Sequence, residues 1–223
     1  MGKLSSDSHE YSFTYLPGAA AVEGFRPFIA FPEFNRQYQS ARLWAFFALR
    51  TMDPHRPDYL RYLTWLGLES GADPLDVLSR SGGERKGDSV QLVERPAIAP
   101  GGSTSSVFLA RGARYATRQH GSAPSVDALR EGDPLRIKTD TGNPANPRAL
   151  YLTDRIGSPF AWVPDLLIRY VEALVSKGGE LKVLRNNGPE CPWHLRVLVS
   201  AHGSLPPNCE PFPEEEDAAP TLV

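Results

Sequence analysis

The chain has 223 residues, 41% hydrophobic and 22% charged, with 19 glycines and 21 prolines. Proline apart, that is the composition of a soluble globular protein, long enough for one large domain or two small ones with a real core. The net charge of −2 is a poor balance for binding nucleic acid, but it averages unlike regions: residues 1–95 carry −1, residues 96–209 carry +4 from 13 basic and 9 acidic side chains, and Glu210 with Glu214–Asp217 carry −5.

Met1–Ser12 is polar and has no apolar core of a signal peptide. The longest apolar stretches, such as Leu166–Val175, fall far below the ~20 residues that cross a bilayer. Two cysteines cannot make a disulfide framework, so a reducing compartment is expected. A cytoplasmic protein with no membrane contact follows.

In chain order, Phe25–Phe34 is aromatic and β-prone, but its prolines confine it to an edge or irregular strand. A helix is predicted from Pro57 to about Leu68. Tyr59, Tyr62, Leu63 and Leu66 form its core face, with Trp65 on the flank beside Arg61. The next helix has Asp73 as cap, Pro74 at its first position, Asp76 in the first turn and Gly82–Gly83 as its stop. Ser89–Val93 reads as a short strand. Residues 96–106, uncharged and rich in Pro, Gly and Ser, mark a linker or long loop.

Beyond it, Val107–Ala110, Leu135–Thr139, Ala149–Thr153, Leu181–Arg185 and Leu195–Ser200 read as strands separated by turn residues. One helix interrupts them, opening at Pro164, with Leu166, Leu167, Tyr170, Val171, Leu174 and Val175 as its apolar stripe and Gly178–Gly179 as its stop. From Cys209 the acidic, Pro-broken chain reads as disordered. The expected architecture is α+β: a small mixed α/β domain over 11–95, a linker over 96–103, an OB-like small β-barrel with one helix over 104–203, and an acidic tail over 204–223.

Several chemistries are disfavoured. Cys191, His194, His202 and Cys209 cluster like zinc ligands, yet His194 and His202 on one strand would stand ~26 Å apart. Ser81–Asp88 is glycine-rich and basic but lacks the spacing and the strand-before, helix-after context of a phosphate loop, so it reads as a turn after a helix. The kinase catalytic loop, the Asp-Phe-Gly motif, the Gly-x-Ser-x-Gly elbow and a His paired with a plausible nucleophile are all missing. No catalytic residue, metal or cofactor is expected. The stretch Asp140–Ala149, with two prolines and two asparagines, is a stiff loop between strands, open to a binding or a purely structural reading.

The run Leu129-Arg-Glu-Gly-Asp-Pro-Leu, then Gly142-Asn-Pro-Ala-Asn-Pro-Arg-Ala-Leu, then Gly157-Ser-Pro-Phe-Ala-Trp-Val-Pro164 is similar to the HIRAN domain family over about 104–203. Asn143, Pro144 and Ala149 match its Asn-Pro-Tyr-Asp-x-Asn-Ala loop, and Ala161–Pro164 stands for its Gly-Tyr-Leu-Pro. The resemblance implies an OB-like barrel that grips the 3′ end of single-stranded DNA, using an Arg-Tyr pair here kept as Arg114-Tyr115. The loop's Tyr and Asp are replaced by Ala145 and Asn146, which removes a stacking face and a charged acceptor.

Ala45–Met52, Arg56–Tyr59, Gly67-Leu68, Asp73–Gly83 and Gly87-Asp88 follow an order that resembles the N-terminal subdomain of HipA-like Ser/Thr kinase toxins, a separate protein, HipS, in three-part systems with the kinase HipT. Together the resemblances imply a non-catalytic, antitoxin-like regulator of a bacterial toxin–antitoxin system. It would bind a HipA/HipT-type kinase through the first domain, with Tyr62, Trp65 and Leu68 facing the partner. It would bind nucleic acid through Arg114, Tyr115, Arg118, Lys138, Asn143, Asn146 and Arg148. The alternative is a binder of single-stranded DNA or DNA ends, in repair or mobile-element biology, with the first region as scaffold.

Overall fold

Short, polar strands open the chain in the computed structural model, which describes residues 1–7, 10–85, 87–119, 126–207 and 209–212, with 117–119 as backbone alone. Strands β1 (Gly2–Ser6), β2 (Tyr11–Tyr15) and β3 (Tyr38–Ser40) pair antiparallel in that order. Alternation along β2 sends Phe13 and Tyr15 inward, onto Phe31 and Phe47; the Phe13 and Phe31 ring centroids are 4.4 Å apart. The proline-broken segment 25–34 is irregular chain whose rings fill this core. Tyr15 stands in for the missing ladder, its hydroxyl donating to the Phe31 carbonyl at 2.9 Å and accepting from the Phe28 amide at 2.7 Å.

Three helices follow: α1 (Ala45–Ala48), α2 (Tyr59–Leu66) and α3 (Pro74–Ser81). Helix α3 has the predicted ends, with the Asp73 carboxylate accepting from the Leu75 amide at 2.8 Å and Gly82 in the left-handed conformation. Gly67, at φ 67°, stops α2 before Leu68. Ser89–Val93 is not a strand; its one ladder-like bond runs from the Leu92 amide to the Gly82 carbonyl. The glycine-rich turn after α3 is folded about Arg50. The buried Arg50 guanidinium holds Asp88 through two bonds of 3.0 and 2.7 Å, donates to the Gly83 carbonyl at 3.1 Å, and lies 4.5 Å from the Phe46 ring centre.

The second half is a curled sheet of six antiparallel strands in the order β4-β9-β8-β5-β6-β7. These are β4 (Ser103–Leu109), β5 (Pro134–Thr139), β6 (Leu150–Thr153), β7 (Pro159–Trp162), β8 (Glu180–Asn186) and β9 (Val197–Ser204). Bulges in β6 and β8 sharpen the curl. The two edges meet where the chain leaves β4: the Arg111 amide donates to the Trp162 carbonyl and the Trp162 amide to the Arg111 carbonyl, both at 2.8 Å. One residue pair thus seams the half-barrel. A 3-10 turn, Asp165–Leu167, leads into α5 (Ile168–Ser176), whose Tyr170, Val171 and Leu174 are fully buried in the barrel core. A second helix, α4 (Ala113–Gln119), stands where one helix was expected; no capping side chain marks its start.

The segments on either side of the barrel make contacts of their own. Residues 97–104 form a bonded turn, with the Thr104 hydroxyl donating to the Ala97 carbonyl at 2.8 Å and Ile98 bridging to Thr104. The chain beyond β9 does not leave the surface at Cys209. Phe212 stacks on Tyr170 with centroids 5.9 Å apart, while Arg95 lies against the Phe212 ring and pairs with Glu210 at 3.1 Å. The run Glu214–Asp217 lies outside the described residues.

Helix α2 is tied to the barrel. Tyr62, Leu63 and Leu66 pack with Leu109, Leu195 and Leu198, and Trp65 and Leu68 cover the edge of that cluster. The helix's last carbonyls, which have no partner within the helix, are served by the barrel: Arg185 donates to Thr64, and Asn187 donates to Trp65 at 2.9 Å. Tyr62 is 6% exposed, and Trp65, half-buried, has Arg61 5.1 Å from its ring centre. The face expected to meet a kinase is an internal contact, because it carries the only continuous apolar stripe of α2 and the barrel offers a matching one. No described helix is long and apolar enough to cross a membrane.

Candidate nucleic-acid interface

Strand pairing lines up three chemically useful side chains across the barrel: Lys138 on β5 is opposite Tyr151 on β6, and Tyr151 is opposite Trp162 on β7. The Tyr151 and Trp162 rings lie 4.9 Å apart at 34°. Lys138 is exposed, Trp162 half-buried and Tyr151 buried. Gly112 caps the far side of Trp162. Its φ of 64° suits glycine, and a Cβ there would fall 2.7 Å from the indole. Helix α4 therefore begins directly against Trp162. Its first turn presents Arg114 and Tyr115 to solvent, Tyr115 being 63% exposed. The Arg114-Tyr115 pair thus sits in a helical turn. The side chain of Arg118 lies outside the described residues.

The loop 140–149 is rigid for reasons visible in its bonds. Asp140 accepts from Trp162 Nε1 at 2.9 Å, from Asn143 Nδ2 at 3.2 Å, from the Gly142 amide at 3.3 Å, and from the Tyr151 hydroxyl. Burial alone would raise its pKa, but these hydrogen bonds, with Trp162 foremost, hold it below the usual carboxylate range. Asn143 Oδ1 accepts from the Ala145 and Asn146 amides at 3.0 and 3.1 Å. Asn146 donates to Asp165 at 2.6 Å and accepts from the Arg148 amide at 2.9 Å. Arg148 pairs with Glu172 at 2.8 Å.

The seven residues assigned to nucleic acid by sequence thus separate. Arg114, Tyr115 and Lys138 are exposed. Asn146 is 6% exposed with both amide ends engaged, donating to Asp165 and accepting from the Arg148 amide, so its side chain holds the loop. Asn143 has the same internal duty, and Arg148 reaches the surface already paired. Trp162 is visible in the sequence only as part of a motif, and Tyr151 and Arg111 carry no local signal, because their place beside Lys138 and Trp162 is set by cross-strand register.

Arg111 joins this face to the N-terminal half. Its guanidinium pairs with Glu84 at 2.6 Å and lies so close to Gly82 that a Cβ there would overlap it. Burial lowers its pKa, with Glu84 and Asp165 opposing that shift. Among the described residues no cluster of three or more His, Cys, Asp or Glu could hold a metal.

No family model and no curated protein match the chain. Among solved structures it is similar to the HIRAN domain of human HLTF, at 14% identity and a TM-score of 0.33, over 47% of this chain and 81% of that one. Similarity at this level adds nothing to the strand order and seam described above.

Proposed function

We propose that this chain binds single-stranded DNA without catalysis, across the first turn of α4 and the outer row of β5–β7. The observation that carries the reading is the exposed Arg114–Tyr115 pair, seated by Gly112 on an ordered Trp162–Tyr151 stack with Lys138 in the same row. A flat exposed ring beside cations suits stacked bases and their phosphates. The HIRAN resemblance of the sequence supports the same ligand. Ala145 offers no ring, and Asn146 is turned inward, so a free 3′ end gains nothing over an internal segment.

Titration of a labelled single strand in rising salt tests this. Arg114→Ala and Tyr115→Ala should each weaken binding, and Arg114→Ala should also flatten the salt dependence by about one phosphate contact. Binding unchanged in both variants would overturn the assignment. A regulator directed at a HipA-type kinase rests on the order of motifs over 35–95 alone. Tyr62, Trp65 and Leu68 belong to the internal contact, so such a partner would have to use the opposite side of α2, where Leu60 and Thr64 are exposed. Co-expression with a candidate kinase and a pull-down tests that reading; no complex and unchanged toxicity would reject it.

A further inference from the structure

The 3-10 turn Trp193–Leu195, between β8 and β9, packs against α4. Leu195 enters the core at 2% exposed, while Trp193 stays 43% exposed and His194 is exposed beside it. An indole left outside where its neighbour is buried is not covering the core. It is also rigidly backed. The Arg196 guanidinium lies 5.6 Å from the Trp193 ring centre, its side chain is 5% exposed, and it is held by Asp127 and by the Gly188 carbonyl at 2.7 Å. His194 lies within electrostatic reach of Glu84 and Arg111, which places the turn next to the barrel seam and hence to the start of α4.

We infer that Trp193 is a second stacking platform, so that a single DNA strand leaving Tyr115 continues over this turn; the inference rests on the reading above. Charge favours that occupant. Glu84, Asp127 and Glu131 are each engaged in an ion pair, with Arg111, Arg196 and Arg185. Arg114 and Arg130 are in no ion pair among the described residues, the Arg130 guanidinium donating only to the Asp127 and Leu129 carbonyls; Glu190, whose carboxylate lies against Gly188, has none either. Arg196 and Arg130 also line an open cavity of about 400 Å³ with Asn186 and Gly188 and with Asp127 and Glu131, the two carboxylates already paired to arginines, which leaves room for the neighbouring nucleotide. A platform held this firmly needs no ordering on binding.

The test compares oligothymidylates of about four and about ten nucleotides, lengths that fall within and beyond the reach of one stacking ring. Trp193→Ala should weaken the longer strand by about tenfold or more and leave the shorter one unchanged. Trp193→Phe, which keeps a ring on Arg196, should keep the affinity while removing part of the fluorescence quench that the longer strand causes. It serves as the folded control should the alanine variant melt early. If Tyr115→Ala abolishes binding of both lengths while neither Trp193 variant changes affinity or quench, the second platform is wrong and the first site stands. If the unaltered chain binds neither strand, both readings fall together.

Discussion

Asp140→Ala is the sharpest probe of what holds the interface in shape. The carboxylate is 8% exposed and accepts from four donors: Trp162 Nε1, Asn143 Nδ2, the Gly142 amide and the Tyr151 hydroxyl. A hydrogen bond to a charged group contributes ~1.5–3 kcal/mol, and a buried donor left without a partner costs ~1–3 kcal/mol. These terms do not add, since half-buried Trp162 and Asn143 regain water. A net loss of about 3 kcal/mol is expected, which at ~2–4 °C per kcal/mol for this chain length lowers Tm by about 6–12 °C. Asp140→Asn, which keeps one acceptor oxygen, should fall between the two. The folded-state pKa of Asp140 is depressed. Its contribution is therefore present above the unfolded carboxylate pKa of ~3.9 and lost as pH falls through the lower, folded value. Thermal melts followed by circular dichroism from neutral to acidic pH should show the gap between wild type and Asp140→Asn closing at the acidic end. A Tm for Asp140→Ala within about 2 °C of wild type, with the same pH profile, would refute the reasoning.

Three other outcomes follow from the same geometry. Gly112→Ala would force a Cβ to 2.7 Å from the Trp162 ring at a positive φ; a loss of about 2 kcal/mol or more in urea unfolding and displaced Trp162 fluorescence are expected. Asp88→Ala should destabilise by about 2–3 kcal/mol, because it strips the buried Arg50 cation of its carboxylate, and Arg50→Met should cost at least as much, because it also takes the donor from the Phe46 and Gly83 carbonyls; an Arg50→Met protein clearly more stable than Asp88→Ala in chemical denaturation would discount these bonds. Burial pushes the Cys191 thiol up to about 12, so Cys191 should resist alkylation at neutral pH in the native protein and react once it is unfolded, as mass spectrometry of the labelled chain would show.

Where the sequence carried strong local signals, the structure matches it. Asp73-Pro74 and Gly82 bound α3 as their chemistry requires, and the β-branched runs of the barrel became strands: β5, β6 and β8 within a residue of their expected ends, while β4 begins four residues earlier and β9 runs four residues further than expected. What stayed hidden depends on partners distant in the chain. β1 and β3 are too polar and short to read as strands until they pair with β2, and β7 begins at Pro159 in a stretch that reads as a turn. Ser89–Val93 has the composition of a strand and no neighbour to pair with. The interface follows the same division. Arg114 and Tyr115 were identifiable as residues, but their placement on α4 depends on Gly112 meeting Trp162 some fifty positions later. Asn146 and Arg148 find partners 19 and 24 positions on, in Asp165 and Glu172, which nothing local reveals, whereas Asn143 binds Asp140 within its own loop.

The seam of the barrel is one residue pair with two hydrogen bonds, beside ladders of seven pairs between β4 and β9. Local opening is governed by the thinnest set of bonds, so the amides of Arg111 and Trp162 are placed to exchange with solvent well before those of the neighbouring strands. An opened seam frees Gly112 from the indole and lets α4 swing with Arg114 and Tyr115 while the rest of the sheet stays paired. Occupancy of that face would then be read as slowed exchange at two amides, a signal that needs no knowledge of the ligand.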